Sequence, residues 1–190
     1  MSSILHDQAA GSPAPRTVKV WDIAVRAFHW SFALCFAGAW ITAESERYRD
    51  VHVMLGYTML GLVAFRLLWG VVGPRHARFS SFVRGPAAIA RYLRSLLAGD
   101  PEHHLGHNPA GAVAVVLLLG LAALAGLSGW ALYDGPGGEW LEETHEFLAG
   151  ALLAVVGVHL AGVAVASWLH RENLVHAMLT GRKKDPAGRP

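Results

Sequence analysis

The 190-residue sequence contains a single cysteine, Cys35. One thiol forms no disulfide within the chain. No Cys-x-x-Cys-His stretch occurs either, which excludes covalent attachment of a c-type haem. Charge is also scarce: Asp, Glu, Lys and Arg make up 16% of the residues, against about 25% in soluble globular domains. The first fifteen residues, Met1–Pro15, are Ser, Ala, Gly, Pro and polar groups. They offer no apolar core of a secretion signal, and a disordered tail is expected there.

What the sequence has in place of charge is apolar surface. Hydrophobic residues account for 53% of the chain and the mean hydropathy is +0.34. Glycine is abundant, at 21 residues, as in closely packed membrane helices. Four apolar segments stand out: 27–43, 51–73, 110–133 and 147–169. About 20 residues span a bilayer as a helix. The last three segments are long enough, and the first is if it starts near Asp22. The expected fold is an all-α integral membrane four-helix bundle forming one domain over 16–180, followed by a basic C-terminal tail over 181–190.

Arginine and lysine set the expected orientation. Arg16, Lys19 and Arg26 lie at the start of the first span. Arg75, Arg78, Arg84, Arg91 and Arg94 follow the second, and Arg171, Arg182, Lys183, Lys184 and Arg189 follow the fourth. The connection after the first span balances Arg47 and Arg49 against Glu44, Glu46 and Asp50. The one after the third has no Lys or Arg, only Asp134, Glu139, Glu142, Glu143 and Glu146. The positive-inside bias then puts both termini in the cytoplasm and the two short connections outside, in the periplasm of a bacterium. Within the long inner connection, Pro86–Ala98 carries Ile89, Tyr92, Leu93, Leu96 and Leu97 at helical spacing. This predicts a short surface helix between helices two and three.

Ionisable groups inside apolar spans mark function, and here they are histidines: His29, His52, His145 and His159. His145 and His159 are 14 residues apart, about 21 Å along one helix and only about 40° apart around it. Span directions put His52 and His145 near the outer face, and His29 and His159 near the inner one. The depths of His29 and His159 match only if helix one starts well before Arg26 or helix four projects into the cytoplasm. Two stacked imidazole pairs suit two non-covalent b-type haems, each iron held by two histidines. Gly56, Gly157 and Gly162 lie nearby in sequence as candidate low-bulk positions. Zinc would call for Cys or carboxylate ligands as well, and no Asp or Glu falls within the four segments. Cys35 is read as packing.

The stretches RAFHW, VHVMLGY with FRLLWG, ETHEFLAG and VHLAG resemble the bacterial cytochrome b-561 family, which includes the cytochrome b subunits of nickel–iron hydrogenases. The resemblance covers roughly Val18 to Leu179. It implies a four-helix bundle with two haem b groups passing electrons between the quinone pool and a redox partner, with iron ligands at His29, His52, His145 and His159. The stretches GPRHARFSSFVRGP and GHNPAG are similar to a subgroup that works with periplasmic c-type cytochromes. Expected partners are therefore membrane lipid, quinone or quinol, and a periplasmic c-type cytochrome or other redox protein, with no nucleic acid; the expected location is the inner membrane. Three alternatives stand beside this electron carrier: a superoxide:quinone oxidoreductase, the cytochrome b anchor of a hydrogenase-like complex, and a metal-ion transporter using the histidines as a relay.

Two cations join the candidate cofactor-binding residues, Arg66 and Arg26. Arg66 lies inside the second span, where an arginine costs about 2.5–3.5 kcal/mol on insertion scales. No helix offers it a carboxylate, so a propionate of the inner haem is its expected partner. His103, His104 and His107 are read as solvated loop residues, against a proton-carrying or quinone-binding role. His6, His76, His170 and His176 receive no role. The seven tryptophans mostly mark span ends, as in an aromatic belt. With two non-covalent haems per chain, acid–acetone extraction should strip all haem from the purified polypeptide at a stoichiometry of two. Retained haem, or one per chain, would refute that expectation.

Overall fold

The computed structural model describes residues 17–98, 108–135 and 137–184. The expectations for Met1–Pro15 and for His103, His104 and His107 concern residues outside these ranges. Among the described residues, four helices are long and apolar enough to cross a membrane: α1 (Ile23–Thr42), α2 (Arg49–Val72), α5 (Pro109–Asp134) and α6 (Glu139–His170). Three shorter helices join them: α3 (Phe79–Phe82), α4 (Pro86–Leu97) and α7 (Leu174–Thr180). A two-stranded antiparallel ribbon pairs β1 (Thr17–Lys19) with β2 (Arg182–Lys184). The protein is an all-α membrane bundle.

Helix boundaries follow from caps. The Asp22 carboxylate accepts from Val25 N at 3.0 Å, which starts α1 at Ile23, three residues before Arg26, and gives it spanning length. Asn108 caps α5 through Gly111 N at 2.7 Å, with Pro109 at the first helical position. The turn into α6 is tight because Gly137 and Gly138 take positive φ, 64° and 125°. Helix α6 begins at Glu139, eight residues before the apolar segment does. Its early acids occupy the turns where the helix dipole favours negative charge, so they belong to the helix rather than to a loop. With 32 residues it is about 48 Å long and projects beyond a bilayer core.

The main packing runs in sequence order, α1 on α2, α2 on α5 and α5 on α6. Between α2 and α6 the gap is bridged by side chains. A buried layer of Met59, Val63, Leu119, Ala122 and Leu152 fills the middle of the bundle, with Phe28, Phe32, Cys35 and Phe36 against its edge. The outside is apolar: Leu34, Ile41, Leu68, Val71, Val158 and Leu160 are exposed, as a lipid-facing surface requires.

Helix α4 forms where the spacing predicts it and rests on α5. Tyr92 is buried, and its hydroxyl accepts from Asn108 Nδ2 at 2.7 Å, which ties α4 to the start of α5. The opposite ends of the chain form a clasp that sequence patterning missed. Val20 N and Trp21 N both donate to Gly181 O. Lys183 and Glu172 pair at 3.5 Å. Val20, Trp21, Val25 and Ala77 form a second apolar cluster with Trp69 and Met178. Arg182–Lys184, expected in a basic tail, is therefore a strand of this clasp.

Candidate functional site

Helices α2 and α6 run in the same direction, each with a histidine near its start. His52 and His145 face one another with ring centroids 6.1 Å apart and planes at 83°. Each ring is fixed by a main-chain carbonyl of the neighbouring helix. His52 Nδ1 lies 2.9 Å from Ala39 O of α1. His145 Nδ1 lies 3.0 Å from Ala125 O and 3.2 Å from Ser128 Oγ of α5. A protonated Nδ1 donates to these oxygens, which leaves both Nε2 atoms as free electron-pair donors. Gly129 makes the approach of α6 feasible: a Cβ there would stand 2.9 Å from His145 Cε1.

At the other end of the bundle, His29 of α1 lies within electrostatic reach of His159 of α6. His29 Nδ1 is buried and has no hydrogen-bond partner among the described residues. Two other buried donors share that condition, Trp30 Nε1 and Arg66 Nη1. Neither route left open by the sequence accounts for the depth mismatch: α1 starts three residues before Arg26, and the extra length of α6 lies at its Glu139 end, away from His159.

Arg66 is 3% exposed. Its Nη2 donates to Ala77 O at 3.1 Å and its guanidinium sits 4.7 Å from the centroid of the Phe79 ring. No Cβ would fit between Gly70 and that ring. The antiparallel register of α1 and α2 is marked by Ala39 beside His52 and Asp22 beside Trp69. It puts Arg66 about one helical turn beyond the level of His29. Arg26, the other candidate cation, donates Nε to Met178 O at 3.2 Å and Nη2 to Leu179 O. Those bonds anchor α1 to α7, so Arg66 is the arginine with an unmatched buried donor.

The glycines divide. A Cβ at Gly56, Gly157 or Gly162 would meet nothing within 4 Å. Gly56 shares the face of His52, four residues on, and Gly162 that of His159, three residues on. Gly157 does not: two helical steps turn it well away from His159, so it is no part of a cradle around that ring.

Among the described residues, His29 Nδ1, Trp30 Nε1 and Arg66 Nη1 have no protein partner, while the His52 and His145 rings are oriented by carbonyls. Two imidazoles bound on opposite sides of one metal at about 2 Å per metal–nitrogen bond hold their ring centres a little over 6 Å apart, as His52 and His145 do. A model of the prokaryotic cytochrome b561 family matches residues 20–181. The chain belongs to that family. No curated protein and no solved structure matches it. Membership makes the chain a bacterial multi-pass membrane protein that binds haem b and transfers electrons. The residues present fit such a group: paired imidazoles with oriented Nδ1 atoms, and a buried cation with a spare donor for an anionic substituent.

Sequence reasoning singled out the four histidines and Arg66, which the fold places at the two ends of the bundle. It missed Ala39, Ala125, Ser128 and Gly129, of which only Ser128 has a functional side chain. Gly129→Val should displace the His145 ring and lower the haem content, read from the pyridine haemochrome of the purified protein. Gly120→Val, where a Cβ meets nothing within 4 Å, should keep the full haem content. Equal haem content in the two variants would refute the role of Gly129.

Proposed function

We propose that the protein is a di-haem electron conduit of the bacterial inner membrane, linking the quinone pool to a periplasmic c-type cytochrome or similar redox protein. The observation that carries this reading is the facing pair His52 and His145, each with Nδ1 committed to a carbonyl. In it, His52 and His145 hold the outer haem and His29 and His159 the inner one. A haem b held by each histidine pair would supply a one-electron iron couple, and with both imidazoles of the pair as ligands it would offer substrate no open site.

The chain's own residues do the rest. Ala39 O and Ala125 O orient the outer imidazoles. Arg66 offers its unmatched Nη1 to a propionate of the inner group, one turn beyond His29. The middle layer of Met59, Val63, Leu119, Ala122 and Leu152 keeps water from the space between the two levels. The positive-inside distribution of Arg and Lys supports cytoplasmic termini. Asp134 and the exposed Glu139, Glu142, Glu143 and Glu146 then form an acidic rim on the periplasmic side beside His145. Such a rim speeds encounter with a basic partner, an attraction that salt screens.

Two experiments test this. His52→Ala and His145→Ala should each abolish the same haem spectrum, and His29→Ala and His159→Ala the other. Matching losses for His52→Ala and His159→Ala would refute the pairing. For docking, the rate of electron exchange with a basic c-type cytochrome should fall as ionic strength rises, and also fall in the Glu142→Gln, Glu143→Gln double variant at low salt. A rate indifferent to both changes rejects the acidic rim as the docking surface.

A further inference from the structure

We propose that the terminal clasp is a positioning device for the His29–His159 site, with Arg26 and Gly181 as its key residues. It sets α1 against the end of α6, and only that level of the bundle depends on it. The proposal rests on the ligand reading given above and adds residues that act through the placement of α1.

The need for such a device follows from the packing order, α1 on α2, α2 on α5 and α5 on α6. His52 and His145 stand on α2 and α6, which share α5 as a neighbour. Each of their rings is also held by a carbonyl of the adjoining helix, Ala39 O or Ala125 O. His29 and His159 stand on α1 and α6, the two ends of the order, which share no neighbour among the spanning helices. Paired ligands must be held within about 0.5 Å of their working positions, so α1 and α6 need a link of another kind.

The two ends of the chain supply it. Glu172 N donates to Ser167 O at 3.1 Å and Leu174 N to Ser167 Oγ at 3.3 Å, which locks α7 to the last turn of α6. The far end of α7 holds α1: Arg26 donates Nε to Met178 O at 3.2 Å and Nη2 to Leu179 O. Arg26 precedes His29 by about one turn on the same side of α1. Gly181 follows α7 with φ of 80° and turns its carbonyl to Val20 N at 2.9 Å and Trp21 N at 3.1 Å. A Cβ at Gly181 would stand 2.6 Å from Trp21 O, so the approach requires glycine. The ribbon then pairs Lys19 with Arg182, and Lys183 returns to Glu172 at 3.5 Å. The path α6, α7, β2, β1, α1 thereby closes the ring of helices at the His29 end.

The test follows the two haem components of the haem-loaded full chain in visible and electron paramagnetic resonance spectra, assigned through His29→Ala and His52→Ala. Arg26→Gln and Gly181→Ala should each weaken the component that His29→Ala removes and keep the one that His52→Ala removes. Gly85→Ala, where a Cβ meets nothing within 4 Å, should keep both. Lys19→Cys with Arg182→Cys allows a disulfide across the ribbon. Added to Arg26→Gln, this pair should restore the weakened component after oxidation but not in thiol-blocked protein. Loss without that rescue would make Arg26 a direct partner of the bound group and overturn its positioning role. Equal weakening of both components in Arg26→Gln and Gly181→Ala, or full retention of both, would overturn the proposal while the ligand reading stood. Both haems surviving in His29→Ala would overturn the ligand reading and the proposal with it. Should Arg26→Gln and Gly181→Ala fail to accumulate, the cysteine pair in the otherwise unchanged chain decides. Its oxidation should slow haem loss on warming at the His29 level alone, and equal slowing at both levels, or none, would overturn the proposal.

Discussion

Hydrocarbon offers no water to a polar group, so a membrane bundle must satisfy each donor and acceptor from within or leave it for a ligand. Most side chains here comply locally. Thr42 donates to Gly38 O, Thr58 to Met54 O and Thr144 to Trp140 O, each one turn back along its own helix. Among the described residues, three buried groups do not: His29 Nδ1, Trp30 Nε1 and Arg66 Nη1. All three belong to α1 and α2 on the side of the central layer away from His52. Their concentration there gives that level its character, a set of donors awaiting an acceptor.

The frame assigns different work to its helices. At the His52 end, α2 and α6 carry the imidazoles while α1 and α5 supply the oxygens that orient them. At the far end α1 becomes a carrier through His29, opposite His159 of α6. This exchange demands accurate placement of α1 along its axis, since one residue of slippage would move His29 about 1.5 Å and rotate it about 100°. The terminal clasp supplies that accuracy. Asp22 caps α1 and accepts from Trp69 Nε1 of α2 at 3.3 Å. Arg26 ties the same turn to the carbonyls of Met178 and Leu179. Gly181, with φ of 80°, turns the chain so that its carbonyl meets Val20 N and Trp21 N.

The spans and the four histidines were legible because hydropathy and helical spacing write them directly into the sequence. Asp22, Asn108 and Pro86 marked helix starts for the same reason. The start of α6 was obscured because Glu139, Glu142 and Glu143 read as loop, although a helix N-terminus favours acids. Short elements such as α7 and the β1–β2 ribbon carry too little periodicity to stand out, and their stability comes from contacts distant in sequence. The oxygens that orient His52 and His145 belong mainly to alanines, whose side chains announce nothing. Gly157 shows the opposite error, nearness in sequence mistaken for a shared face. Arg26 looked like Arg66 in composition alone, and only packing separated an anchor from a buried cation.

The central layer bears on what can cross the bundle. Leu152 lies midway between His145 and His159 on α6, and Met59 and Val63 lie between His52 and Arg66 on α2. A relay of ions or protons would need polar groups or ordered water at that depth. Met59, Val63, Leu119, Ala122 and Leu152, edged by Phe28, Phe32 and Phe36, provide side chains with no hydrogen-bonding capacity beyond weak sulfur contacts. An electron needs no such path: it crosses a short dry gap by tunnelling. A low dielectric also reduces the solvent reorganisation that would slow the transfer. The layer therefore discriminates against the metal-ion relay and suits transfer of electrons alone. It also insulates the two levels, so the carbonyls at one end and Arg66 at the other can act on their own sites with little cancellation.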